Sequence, residues 1–219
     1  MPLLRQTSRG QKETACLSFT FHYMKTAKED IRRCIARIYS PVEVLGPGKR
    51  VGIWTLGCDR GCRGCISPEL REYDERREVR PEDVALMLDR IPGKIDGFTV
   101  SGGEPFYRPA SLAALLRVLT RYSDDIIVFT GYTLEELLSM EDPYVSEALA
   151  DISVLIDGPF EAEKNDCQGL RGSANQRIHI FRNASRYEGL ETCTTELQPV
   201  AYGSSLLTIG IPHPHKTEQ

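Results

Sequence analysis

From about residue 36 onward, short runs rich in apolar and β-branched residues alternate with longer segments of helical period, an alternation that predicts a parallel α/β fold. The candidate strands are residues 51–55, 97–100, 126–130, 152–156 and 177–181. Parallel strands joined by crossover helices either close toward a barrel or spread as a doubly wound sheet. Both arrangements put the active-site loops at the C-terminal ends of the strands, so the chemistry is expected directly after each strand.

Between the strands, Pro81, Glu82 and Asp83 open a helix with Val84, Met87, Leu88 and Ile91 on one face. Ser111 is expected to cap a second helix with the inward stripe Leu112, Leu115, Leu116 and Leu119, and Thr133 with Glu136 forms a capping box for a third. These stripes are core. Three regions result: an N-terminal extension over 1–35, a core over 36–185, and a C-terminal extension over 186–219 with one strand at 206–211 and a polar tail. Met24 opens a better helical segment than Met1, so 1–23 are expected to be a disordered tail or an overlong reading frame.

Composition narrows the classes. At 219 residues, 41% hydrophobic and 26% charged, the chain is long enough for one sizeable core. No run of eighteen apolar residues exists and the N-terminus has no apolar signal region, so the expectation is a cytoplasmic protein without a membrane span. A net charge of -4 gives no general attraction to nucleic acid. Local clusters such as Arg32, Arg33 and Arg37, or Arg76 and Arg77, read as solvated faces. The run from Gly46 to Lys49 is no phosphate loop, because Glu43 and Arg50 stand where that pattern needs Gly and Ser or Thr.

Seven cysteines, three of them within eight residues and Cys16, Cys34, Cys167 and Cys193 scattered, do not make a disulfide framework. Directly after the first candidate strand, Cys58, Cys62 and Cys65 are spaced by three and then two residues in a Gly-rich loop. Three thiolates on one loop suit a cuboidal iron–sulfur cluster with one iron left free of protein ligands. Structural zinc is the alternative. It requires a fourth Cys or His, and the nearest, Cys34 and Cys167, are remote in sequence.

A C-x3-C-x2-C loop after the first strand resembles the signature of the radical S-adenosylmethionine (SAM) superfamily, and Ser101-Gly102-Gly103-Glu104-Pro105 after the second strand is similar to its GGEP motif. Further blocks, Gly46-Pro47-Gly48-Lys49-Arg50, Thr130-Gly131-Tyr132, Asp157-Gly158-Pro159-Phe160 and Arg171-Gly172-Ser173-Ala174-Asn175-Gln176, resemble the anaerobic ribonucleotide reductase activating proteins over about 38–180. Ile66 and Ser67 depart from the aromatic residue and asparagine common there.

The resemblance implies a partial (β/α) TIM-like barrel, a 4Fe-4S cluster on Cys58, Cys62 and Cys65, and SAM as co-substrate. It places Gly64, Cys65 and Ile66 along SAM, and Gly102 and Gly103 at its methionine part. Thr130 belongs to the same set. Glu104 either orients the SAM ammonium or caps a turn, and Asp157 either lines the site or satisfies local amides. A side chain at Gly103 is expected to obstruct SAM and leave the iron untouched. The implied reaction is reductive cleavage of SAM to methionine and a 5'-deoxyadenosyl radical, driven by a flavodoxin- or ferredoxin-like donor. That radical would install a glycyl radical on a partner enzyme such as an anaerobic ribonucleotide reductase. Two alternatives stay open: a radical SAM enzyme acting on a small molecule or peptide, and a non-enzymatic iron–sulfur or zinc module.

Overall fold

A computed structural model of the chain describes residues 31–213; Cys16, the segment opening at Met24 and His215 fall outside these described residues. The strands of the main sheet are β1 (Arg33–Val42), β2 (Arg50–Thr55), β3 (Glu78–Val79), β4 (Gly97–Gly102), β5 (Ile126–Phe129), β6 (Val154–Asp157) and β7 (Arg177–Ile180). Their order is β3-β1-β2-β4-β5-β6-β7. The four central strands β2, β4, β5 and β6 are parallel, while β1 and β7 run antiparallel to their neighbours. The expected partial barrel is thus an α/β sheet, rich in parallel strands, whose end strands β3 and β7 do not pair with each other.

The helices are α1 (Pro81–Leu88), α2 (Pro109–Leu119), α3 (Leu134–Ser139) and α4 (Pro143–Asp151). The capping box of α3 forms: the Thr133 hydroxyl accepts from the Glu136 N–H at 3.1 Å, and the Glu136 carboxylate accepts from the Thr133 N–H at 2.7 Å. Helix α2 starts at Pro109, two residues before Ser111, and all four of its expected leucines are buried. Met87 is exposed, because α1 is only eight residues long and turns Val84, Ala85 and Leu88 inward instead.

Alternate residues of the parallel strands serve two cores. Ile126, Val128 and Leu155 join the leucines of α2 on one face. Ile127, Val154 and Ile156 face the other way, toward Tyr187, Leu190, Val200 and Ile209 from the C-terminal region. Both faces are buried, so these strands read in sequence as unbroken apolar runs. The C-terminal region contributes two strands where one was expected, β8 (Leu197–Tyr202) and β9 (Ser205–Gly210), paired as a separate antiparallel hairpin.

At the N-terminal edge of the parallel strands lies a buried charged network. Arg50, fully buried, donates to Asp125 Oδ1 at 2.8 Å, to the Phe98 carbonyl at 2.6 Å and to Thr99 Oγ1 at 2.8 Å. Tyr187 donates to the same Asp125 oxygen. The block around Gly46 to Arg50 therefore builds the floor of the sheet. Arg33, expected on a solvated face, is also buried, because β1 is covered on both sides. Its guanidinium donates to the Glu104 carbonyl at 3.2 Å, and burial lowers its pKa to about 10. No helix among the described residues is long and apolar enough to cross a membrane.

Candidate active site

The C-terminal ends of β2, β4, β5 and β6 carry, in order, the cysteine loop, Gly103-Glu104, Thr130-Gly131 and Gly158. All four segments line one cavity, together with Cys58, Cys62 and Cys65. The cysteine loop is pinned at its base: the Gly57 N–H donates to the Leu70 carbonyl and the Cys58 N–H to the Arg71 carbonyl, both at 3.0 Å. Between the thiols the chain reverses at Gly61 and Gly64, whose φ angles of +62° and +73° lie in the left-handed region.

The three thiols are free of disulfides. Burial pushes the Cys58 thiol up, opposed by the Arg60 N–H, which points at its sulfur at 3.4 Å and favours the thiolate. Among the described residues no three His, Cys, Asp or Glu side chains are grouped to hold a single metal ion. One zinc ion draws its thiolates to about 2.3 Å, whereas a cuboidal cluster spreads three thiolates over three irons. Among the described residues no fourth Cys or His joins Cys58, Cys62 and Cys65 in the cavity lining, so the donor set is the three-thiolate one that suits a cluster and not the closed set of structural zinc.

Sequence reasoning missed the cationic wall. Arg37, Arg60 and Arg71 line the same cavity. Arg60 stacks over the Tyr132 ring at 4.3 Å, and Arg71 donates to the Cys62 carbonyl. The Nε atoms of Arg60 and Arg71 are buried without a hydrogen-bond partner among the described residues. Buried donors beside three thiolates suit an anionic cluster and a carboxylate-bearing ligand. The only signal for Arg60 in the sequence was a basic residue between two cysteines.

Glu104 resolves as a tie between loops. Its Oε1 accepts from the Phe106 N–H and the Thr130 hydroxyl, both at 2.8 Å, and its Oε2 accepts from the Gly131 N–H at 2.7 Å. Burial outweighs these donors and raises the carboxyl to about 7. Cys65, Ile66, Gly102, Gly103 and Thr130 line the cavity; Gly64 and Asp157 do not. Gly64 sits against the Ala162 side chain. Asp157 is buried beside the cavity, and Gly158 takes its place in the wall. Asp157 accepts from the Leu134 N–H at 2.6 Å and pairs with Arg177 at 2.6 Å. Burial acts to raise its carboxyl, but Arg177 and the Leu134 N–H hold it below the usual range.

The Arg171–Gln176 block folds around its last residue. Gln176 Oε1 accepts from the Gly172 N–H at 2.8 Å, and its amide donates to the Gly158 carbonyl at 2.8 Å, so Gly172 and Gln176 complete one wall. Arg171 is tied locally to Asp166 at 2.9 Å.

The expected obstruction of a ligand by a Gly103 side chain takes a different physical form. A Cβ at Gly103 would stand 2.3 Å from the Gly57 carbonyl oxygen and 2.8 Å from that of Leu70. The close approach is made to the chain's own backbone at the foot of the cysteine loop.

Residues 44–179 match the profile of the 4Fe-4S single cluster domain family. The chain is 38% identical over 156 residues to an anaerobic ribonucleoside-triphosphate reductase-activating protein of Vibrio cholerae, covering 65% of this chain and 96% of that protein. A protein of the same name from Pasteurella multocida is 36% identical over 156 residues, covering 65% and 95%. A third, from Escherichia coli, is 30% identical over 154 residues, covering 66% and 97%.

Proposed function

The chain belongs to the 4Fe-4S single cluster domain family, among the anaerobic ribonucleoside-triphosphate reductase-activating proteins, and on that premise we propose that it installs a glycyl radical on an anaerobic ribonucleotide reductase. It is a radical SAM enzyme, and its cofactors are a 4Fe-4S cluster and SAM. When bound, these supply one-electron cleavage of a carbon–sulfur bond, which delivers a hydrogen-abstracting radical.

The protein's residues hold, orient and shield. Cys58, Cys62 and Cys65 would hold the cluster through three thiolates. Arg60 and Arg71, whose Nε donors lack partners among the described residues, neutralise the cluster and the SAM carboxylate. Glu104, held by Phe106, Thr130 and Gly131, keeps the loops after β4 and β5 in fixed relation under the ligand. Gly102, Gly103, Cys65 and Ile66 supply wall. The electron comes from a flavodoxin- or ferredoxin-like donor, and the enzyme works in the cytoplasm, where reducing conditions keep the thiols available.

The convergence of three free thiols on a cavity where the Nε atoms of Arg60 and Arg71 have no partner among the described residues carries this reading. After anaerobic reconstitution, Cys58→Ala, Cys62→Ala and Cys65→Ala should each lose the cluster and release no 5'-deoxyadenosine with dithionite and SAM. Cys167→Ser and Cys193→Ser should retain both. Mixing the wild-type holoenzyme with the reductase of the same organism should give the electron paramagnetic resonance doublet of a glycyl radical. Equal iron loss in both sets of variants overturns the ligand assignment, and SAM cleavage without a doublet overturns the activase role.

A further inference from the structure

The hairpin of β8 and β9 lies beyond the residues matched by the family profile, 44–179, yet it forms part of the cavity wall. Five consecutive residues, Leu207, Thr208, Ile209, Gly210 and Ile211, line the cavity that the three cysteines share. Successive side chains of a strand point to opposite faces. An unbroken run of lining residues therefore presents the backbone edge of β9, and not one of its faces. Among the described residues that edge is open, since β9 pairs with β8 alone.

The register identifies the groups on the open edge. Residues facing each other in an antiparallel pair alternate between those that exchange hydrogen bonds and those that do not. Thr208 stands opposite Pro199, which has no N–H to give, so this pair is of the second kind. The N–H and C=O of Thr208 therefore point away from β8, and those of Leu206 and Gly210 point the same way by alternation.

The edge is held rigidly. The Gln198 amide donates to the Pro41 carbonyl at 2.9 Å and accepts from the Glu43 N–H at 3.1 Å. Val200 and Ile209 are buried against Val42, Leu45 and Ile156. At the outer end of the hairpin Leu206 is 77% exposed and Tyr202 39%.

We propose that the open edge of β9 is the docking rail for the protein substrate: an extended, glycine-bearing segment of the partner adds to it as a further strand. This rests on the activase reading above. The rail is a row of main-chain donors and acceptors at the repeat of a peptide, so its complement is a peptide backbone, and β-addition is the mode such an edge serves. A glycine in the added strand presents no side chain, so its Cα can approach closely inside the cavity that β9 shares with the three cysteines. Main-chain bonds at Thr208 and Gly210 supply affinity, and exposed Leu206 offers an apolar contact at the mouth.

The test is Thr208→Pro in the reconstituted holoenzyme, assayed with the anaerobic ribonucleoside-triphosphate reductase of the same organism. Proline removes the outward N–H and fills the edge, while the pairing to β8 survives, as it does at Pro199. The partner KM should rise at least tenfold, and Thr208→Ala, which keeps the N–H, should restore the wild-type value. Independently of folding, hydrogen exchange in wild-type residues 205–211 should slow when the reductase is added. An unchanged KM in a normally folded Thr208→Pro, or unchanged exchange in the wild type, overturns the rail. A wild type that forms no glycyl radical on the reductase overturns the activase reading instead.

Discussion

Substituting Gly103 by alanine adds one methyl group, and the structure sets the consequence. The new Cβ would lie 2.3 Å from the Gly57 oxygen, where ordinary contact begins at 3.4 Å, so one of the two must move by about 1.1 Å. That oxygen accepts the Glu104 N–H at 2.8 Å, and the Leu70 oxygen, 2.8 Å from the Cβ, accepts the Gly57 N–H at 3.0 Å. A shift of this size breaks at least one of these bonds, at about 1–3 kcal/mol for a buried donor left unpaired. Overpacking adds about 1–3 kcal/mol, so a loss of roughly 2–6 kcal/mol is expected. Cys58 follows Gly57 directly. Metal sites tolerate ligand displacements of only about 0.2 Å, so cluster content should fall along with stability. The assay is iron and sulfide per chain after anaerobic reconstitution, beside urea unfolding of the apoprotein. Gly189→Ala is the control: it has a φ of +80° and no atom within 4 Å of its Cβ, and should cost about 1 kcal/mol with iron retained. A Gly103→Ala protein with full iron, wild-type stability and weakened SAM binding alone would refute this account.

Asp125→Ala removes the carboxylate that pairs with fully buried Arg50, and should cost about 3–5 kcal/mol in urea unfolding. The folded fraction should still bind a normal cluster, because the six residues of β2 put about 20 Å between this network and the cysteine loop. Glu104 is raised by burial to about 7, so the folded apoprotein keeps a proton there that the unfolded chain releases near pH 4.5. Its contribution to stability is complete below pH 4.5 and should decline by about 1.4 kcal/mol per pH unit up to pH 7. Unfolding of Glu104→Gln measured across that window should lack this slope.

Much of the architecture was legible because local and global preferences agree. The central strands announce themselves as apolar runs since both of their faces are buried, and Thr133 with Glu136 caps α3 through bonds within one turn of chain. Strand β1 was invisible for the opposite reason: its sequence carries Arg33, Arg37 and Ser40, and only pairing with β2 and β3 on both sides makes it a strand. Strand β8 hides behind Pro199, which counts against a strand unless its missing N–H falls on a pair that exchanges no bonds. The cysteines stand out by their spacing, and the loop glycines by their resemblance to a family motif. The residues of β9 could not be assigned to the site, since nothing local records that residues about 140 positions apart share one cavity with Cys65.

The same long-range closure gives the C-terminal region a structural reason to exist. A sheet rich in parallel strands needs cover on both faces. Here α1, α2 and α4 supply one cover, and the other face, with Ile127, Val154 and Ile156, would lie bare in an open sheet. Tyr187, Leu190, Val200 and Ile209 bury it. Because Val200 and Ile209 are fixed in that core, the strand between Ser205 and Gly210 is a rigid wall of the cavity and not a passing loop. A cover required by the open sheet thus becomes, with Arg37 from β1, a part of the cavity wall built outside the matched family core, and on the proposed reading differences in substrate handling between this chain and its shorter relatives belong on that wall.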